Sequence, residues 1–344
     1  MYRIKNIIFP LVILLAAAAC SSDDALTGGN GQTVTFDVPI SIYTGNEEVA
    51  SRAASQGDPG NDAAFKAPLY LYIYAYIKES NTDGYEVLTQ TFTYADDTEA
   101  SKEWTLQDEG KVSEHWQKNV RITFKLTSEF VEDLGASRVY AVASRKELTG
   151  LPTDVSNLKT LANINALTLD LSKFTSDELK DIYSTPAKDQ SSPAQSTDNG
   201  LIEYDAKTKT LTCSAVKLYH AAAKVDFTWE VPTSLQPTTS VASITCTGVP
   251  TVCKIFEPTA NPTTPTTDCL VLGPAANNPV NEATTGNKWI GRAYAYMLQP
   301  ASGTITYTVT YGGSAGKAAT NATFTPASVN NVFTGWYRIV ADVK

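Results

Sequence analysis

Between Thr33 and Ile42 hydrophobic and polar positions take turns along the chain. Val34, Phe36, Val38, Ile40 and Ile42 occupy one parity, and Thr33, Thr35, Asp37 and Ser41 the other. A period of two puts the apolar set on one face of an extended strand. After Gly45 the order lapses, and residues 46–62 (NEEVASRAASQGDPGND) have no apolar period and carry Gly and Pro punctuation. A second strand follows at residues 69–77, LYLYIYAYI, with Leu69, Leu71, Ile73, Ala75 and Ile77 on one face and Tyr70, Tyr72, Tyr74 and Tyr76 on the other. Further strands are predicted at 85–94, 119–126 and 138–143. TSEFVEDLG (127–135) and TSDELKDIYS (175–184) each open on Thr-Ser with a carboxylate one turn beyond the cap, and are predicted as short capped helices.

Residues 186–200, PAKDQSSPAQSTDNG, lose their hydrophobic residues almost entirely and read as a loop or inter-domain connection. Strands resume at 211–218, 223–230, 241–247, 293–298, 304–311 and 332–343, with Thr, Pro, Gly and Asn filling the gaps. Short strands with such punctuation predict a mainly β, sandwich architecture. No internal repeat of fixed period is seen.

The 344 residues suit two domains. A hydrophobic content of 42% with 18% charged residues is that of a globular chain. The net charge of −9, without a basic run, argues against a nucleic-acid partner.

The first residues have a different character. Arg3 and Lys5 precede an apolar run from Ile7 to Ala19 that is too short to span a membrane and reads as a secretory signal. Ala17, Ala18 and Ala19 lead into Cys20, which resembles a bacterial lipobox. The alternative is an ordinary signal peptide with an incidental cysteine. Lipid on Cys20 would hold a precursor at a membrane while its folded body stays in water. Residues 25–32 are Gly-rich and polar, suiting a tether.

Cys213, Cys246, Cys253 and Cys269 remain, and four cysteines allow three pairings. Their spacing fits no zinc pattern, so disulfides or buried thiols are expected and no metal. The two histidines, His115 and His220, lie outside any nucleophile elbow, and no catalytic set can be assembled. Gly312 and Gly313 belong to a turn signal, and no phosphate-binding loop or dinucleotide fingerprint occurs, so no cofactor is expected. The carboxylates cluster in solvated segments. The tyrosine face at 70–76 could stack on sugars, or it could cover a second layer of structure.

Taken together, the Cys20 lipobox, TVTFDVPISI followed by SRAAS, LYLYIYAYI, SRVYAVAS, KLYHAAAKVDFTWEV and the closing NNVFTGWYRIVADVK resemble the fimbrillin superfamily, the pilin-like proteins of Bacteroidales fimbriae (type V pili). The acidic CSSDD start likewise resembles surface-export tags on lipoproteins of such bacteria. The resemblance extends over nearly the whole mature chain, through motifs that are individually soft.

It implies two tandem transthyretin-like β-sandwich domains: a signal peptide at 1–19, a lipidated propeptide at 20–52, an N-terminal domain at 53–205 and a C-terminal domain at 206–344. It implies cleavage by an arginine-specific protease, here between Arg52 and Ala53, removing the first strand with Val34, Phe36, Val38, Ile40 and Ile42. The groove so opened would accept a strand from another fimbrial subunit. The final strand is the natural donor, with Phe333, Tyr337, Ile339, Ala341 and Val343 on one parity; the alternative is that it closes its own sandwich. The expected product is a non-enzymatic stalk or tip subunit at the cell surface, anchored to the outer membrane as a precursor, with host or bacterial receptors as further partners. A monomeric lipoprotein that binds glycans through the tyrosine face is the rival expectation.

Overall fold

A computed structural model describes residues 32–44, 66–81, 84–109, 115–152, 155–185, 199–234, 240–256, 266–273, 281–298, 305–312, 320–324 and 336–342. The first part of the chain forms β1 (Thr33–Thr44), β2 (Tyr70–Lys78), β3 (Tyr85–Thr93), α1 (Asp97–Glu103), β4 (Thr105–Gln107), β5 (His115–Thr127), α2 (Ser128–Glu132), β6 (Ser137–Ser144), α3 (Leu161–Asn165), β7 (Thr168–Asp170), α4 (Ser176–Leu179), β8 (Ile182–Ser184), β9 (Leu201–Asp205), β10 (Thr210–Cys213) and β11 (Val216–His220). The second part forms β12 (Ala223–Pro232), β13 (Ser240–Pro250), β14 (Val252–Lys254), β15 (Thr266–Leu272), β16 (Asn281–Thr285), β17 (Lys288–Met297), β18 (Ile305–Gly312), β19 (Thr320–Phe324) and β20 (Trp336–Asp342). The molecule is mainly β, with its strands packed as sandwiches.

Ten strands of the first part make one sheet in the order β10-β9-β6-β8-β11-β1-β5-β4, with β2 paired to β6 and β3 to β2. The sheet turns back on itself, so that inward residues of β1 and β5 meet those of β2 and β6. Val38, Ile40, Ile42, Phe124, Leu71, Ile73, Ala75 and Val139 fill this first core. In the second part, the sheets β16-β17-β12-β20 and β15-β13-β18-β19 enclose Phe227, Trp229, Ile244, Ala295, Met297 and Val309.

Between the two lies a third cluster. Tyr74, Tyr76 and Tyr140 from the first sheet pack with Phe256, Tyr294 and Tyr296 from the second part. The alternation of β2 thus serves two cores at once, its aliphatic parity facing one and its tyrosine parity the other.

A short helix forms in each predicted segment, but over 175–184 it ends at Leu179 and Ile182–Ser184 is strand β8, and one cap differs. Thr175 accepts from the Glu178 amide while the Glu178 side chain accepts from the Thr175 amide, a complete capping box at α4. At α2 the third helical residue is Phe130, so Thr127 caps its amide and nothing returns the bond.

The single strand predicted over 211–218 is two. β10 ends at Cys213, the Ser214 hydroxyl accepts from the Leu201 amide, and β11 starts afresh at Val216. Both strands follow residue 205 and still belong to the first sheet: β10 pairs with β9, and β11 with β8 and β1. The change of sheet falls at the buried residues Ala221 and Ala222.

Candidate functional site

β1 is held along its whole length on one side. All twelve residues pair antiparallel with β5, from Thr33 opposite Thr127 to Thr44 opposite Trp116, while Ile42, Tyr43 and Thr44 also pair parallel with β11. Pro39 sits where β1 pairs only with β5 among the described residues, so its missing N–H leaves no ladder bond unmade on the other side.

The inward parity of β1 behaves as its pattern predicts, with one exception. Val38 and Ile42 are fully buried, Ile40 is 1% exposed and Phe36 9% exposed, the Phe36 ring meeting Tyr204 edge to face at 6.2 Å. Val34 is 36% exposed. It lies near the outer end of the strand, opposite Leu126.

The outward parity fixes register. Thr123 donates to Asp37 at 2.6 Å and Ser41 to Asn119 at 2.8 Å, each across a directly opposed pair. At the end of the strand the Trp116 amide donates to the Thr44 hydroxyl, and the rings of Tyr43 and His115 lie 5.5 Å apart.

Where the chain is next described, at Lys66, it is pinned at once. Lys66 pairs with Asp97 at 2.9 Å, Arg145 pairs with the same carboxylate, and the Arg145 guanidinium donates to the Ala67 carbonyl at 2.7 Å. These contacts hold the Asp97 carboxyl below the usual range, the bond from Arg145 contributing most. Residues 45–65 separate β1 from this anchor. Arg52 and Ala53 fall within that stretch and Cys20 before β1, so all three lie outside the described residues.

At the other end of the chain, β20 pairs parallel with β12, Tyr337 opposite Val225, Ile339 opposite Phe227 and Ala341 opposite Trp229. It is the edge strand of its own sheet. Phe333 and Val343 lie outside the described residues.

Half of the tyrosine face is closed off from solvent. Tyr74 and Tyr76 are each 2% exposed, Tyr74 donates to the Pro152 carbonyl at 3.1 Å, and Tyr72 accepts from the Leu148 amide. Burial pushes the Tyr74 phenol well above its usual pKa, so it remains a protonated donor. At Tyr74 and Tyr76 the face therefore covers a second layer of structure, while Tyr70 and Tyr72 are half-buried.

The histidines are likewise absorbed into structure. His115 is buried in β5, and His220 donates from Nδ1 to the Lys180 carbonyl at 2.8 Å. Among the described residues no group of three or more His, Cys, Asp or Glu side chains is arranged to hold a metal ion.

Compared with protein-family models and with curated proteins, the chain matches none. Solved structures resemble it over most of its length. One is a protein of Bacteroides thetaiotaomicron provisionally described as an adhesin, with 10% identity and a TM-score of 0.37, covering 92% of this chain and 93% of that one. Another is a protein of Bacteroides fragilis provisionally described as a cell adhesion protein, with 11% identity, a TM-score of 0.32 and coverage of 89% and 93%. A third, from Bacteroides ovatus and described in the same way, has 9% identity, a TM-score of 0.35 and coverage of 88% and 91%.

Proposed function

We propose that this chain is a non-enzymatic adhesive or structural subunit of bacterial surface fimbriae. In this reading it is exported as a precursor lipidated at Cys20, cut between Arg52 and Ala53, and joined to its neighbours by β-strand addition. The observation that carries the reading is the attachment of β1. Among the described residues it is joined to the rest of the fold through residues 45–65, and the body beyond is anchored independently at Lys66 and Ala67.

A cut in that stretch makes β1 a separate peptide held only by its ladders and its buried side chains. Phe36, Val38, Ile40 and Ile42 each contribute about 1.5–3 kcal/mol of burial, so the emptied groove strongly favours a replacement. A donor strand with the same alternation meets that need through main-chain bonds and pockets. β20 of a second subunit is one such donor, since it occupies a sheet edge.

The test is a chain spanning 53–344, followed by size-exclusion chromatography and electron microscopy. It should polymerise, and an added peptide of residues 32–44 should cap it as a monomer. The full-length Arg52→Ala protein should remain monomeric in the presence of an arginine-specific protease that converts the parent chain. A stable, peptide-indifferent monomer of 53–344 would show that β1 closes no exchange groove.

A further inference from the structure

The fold distributes Cys213, Cys246, Cys253 and Cys269 over three separate cores. Cys213, on β10, packs against the first core, and Cys253, fully buried on β14, belongs to the cluster between the sandwiches. Cys246 and Cys269 share the third core: Cys246 is fully buried within it and Cys269 lies half-buried at its margin.

Those two residues are direct partners across the antiparallel β13–β15 ladder. Opposed residues in such a ladder have Cα atoms about 4.5–5.5 Å apart and side chains on one face. A disulfide needs a Cα separation of roughly 4.4–6.8 Å, so this pair satisfies the requirement without moving either strand. Joining Cys213 or Cys253 to any other described cysteine would mean carrying a strand from one core to another.

Cys269 is also within reach of solvent. It lines a cleft of about 330 Å³ between the start of α4 and the β15 and β17 strands, together with Ser176, Asp268, Thr267 and Leu298. Cys246 stands behind it in the core, and an oxidant entering the cleft meets Cys269 first.

We propose that Cys246 and Cys269 are the site of a cross-strand disulfide, formed when the folded protein meets a small disulfide oxidant. The Cys269 thiolate attacks one sulfur of the oxidant R–S–S–R, forms a mixed disulfide and releases R–S⁻. Cys246 then gives up its proton, and its sulfur attacks Cys269 and displaces the second R–S⁻. The two protein thiols lose two electrons and two protons, and the oxidant is reduced to two R–SH. This inference goes beyond the fimbrial reading and stands or falls without it.

The bond would tie down a weak edge. β15 is the outer strand of its sheet, and its register against β13 shifts on both sides of the cysteine pair, between Ile244 and Thr245 and between Cys246 and Val249. Such an interrupted edge has few ladder bonds to resist peeling or unwanted pairing. Burial raises the pKa of both thiols, and for Cys246 the charge of Cys269 adds to the rise. Closure should therefore be slow at neutral pH and accelerate about tenfold per pH unit while the attacking thiol is mostly protonated.

The experiment treats the folded full-length chain with oxidised glutathione, blocks remaining thiols by alkylation after unfolding, and maps peptides by mass spectrometry without reduction. The expected result is a linked peptide pair carrying Cys246 and Cys269, two hydrogens lighter than its parts. The thermal midpoint should rise by roughly 5 °C, and both effects should reverse with dithiothreitol. Cys213→Ser should keep both effects, and Cys269→Ser should lose them. The map of the unsubstituted chain decides the pairing even where Cys269→Ser fails to fold. A bond to Cys213 or Cys253, a lasting glutathione adduct on Cys269, or alkylation of both residues after oxidation would each overturn the proposal.

Discussion

Ile40 and Val34 share a parity on β1, yet one is 1% exposed and the other 36%. Ile40→Ala should cost about 2–5 kcal/mol, as large-to-small changes in a packed core do, while Val34→Ala should stay within about 0.5 kcal/mol. Urea unfolding of the uncut chain measures both. The parity itself was legible in the sequence; the exposure of Val34 was not, because a period of two says nothing about where the opposite layer ends. Gly291 was wholly hidden. It lies opposite Trp229, and a Cβ there would come within 2.2 Å of the indole, which is 1% exposed. A glycine inside a strand pattern reads only as a weak point until the fold shows which ring covers it. Gly291→Ala should destabilise by about 1–3 kcal/mol through overpacking, seen as a lower thermal midpoint.

Long alternating strands announced themselves at the scale of elements, whereas short ones did not. β7, β8 and β14 have three residues each, too few for any period to emerge. The groove flanking β1 was only half legible for the same reason: β5 carries a clear pattern, but the parallel contact with β11 depends on a break at Ser214 that the continuous run 211–218 conceals. Nor does local sequence show that α1 supplies an anchor, since Asp97 meets Lys66 and Arg145 only after folding. A carboxyl held below its unfolded pKa adds stability above that unfolded value and loses it as pH falls through the lower, folded one. The anchor should thus persist from neutral pH to about pH 4 and release below it. Hydrogen-exchange protection factors at Leu69 and Tyr94, whose amides are bonded in the main-chain network beside it, should fall in that acidic window once corrected for the slower intrinsic exchange, and Asp97→Asn should show the lower protection already at neutral pH.

For the molecule as a whole, the cluster between the sandwiches decides whether the two parts unfold together. Phe256 is fully buried there, 5.1 Å from the Tyr140 ring and 6.0 Å from that of Tyr74. Ser176, at the start of α4, adds a reciprocal main-chain clasp: it donates to the Tyr296 carbonyl at 2.9 Å and accepts from the Tyr296 amide at 2.7 Å. Phe256→Ala should cost about 3–5 kcal/mol and resolve a single calorimetric transition into two. The link at 45–65 has a thermodynamic meaning of its own at this scale. While it is intact, any opening of β1 is followed by re-docking within one molecule, at an effective concentration on the order of millimolar. A cut there, as proposed, would require the same contacts to be remade between separate molecules. At roughly micromolar protein that difference is about a thousandfold, or about 4 kcal/mol, which a competing strand would gain while the ladders that β1 itself forms stay the same.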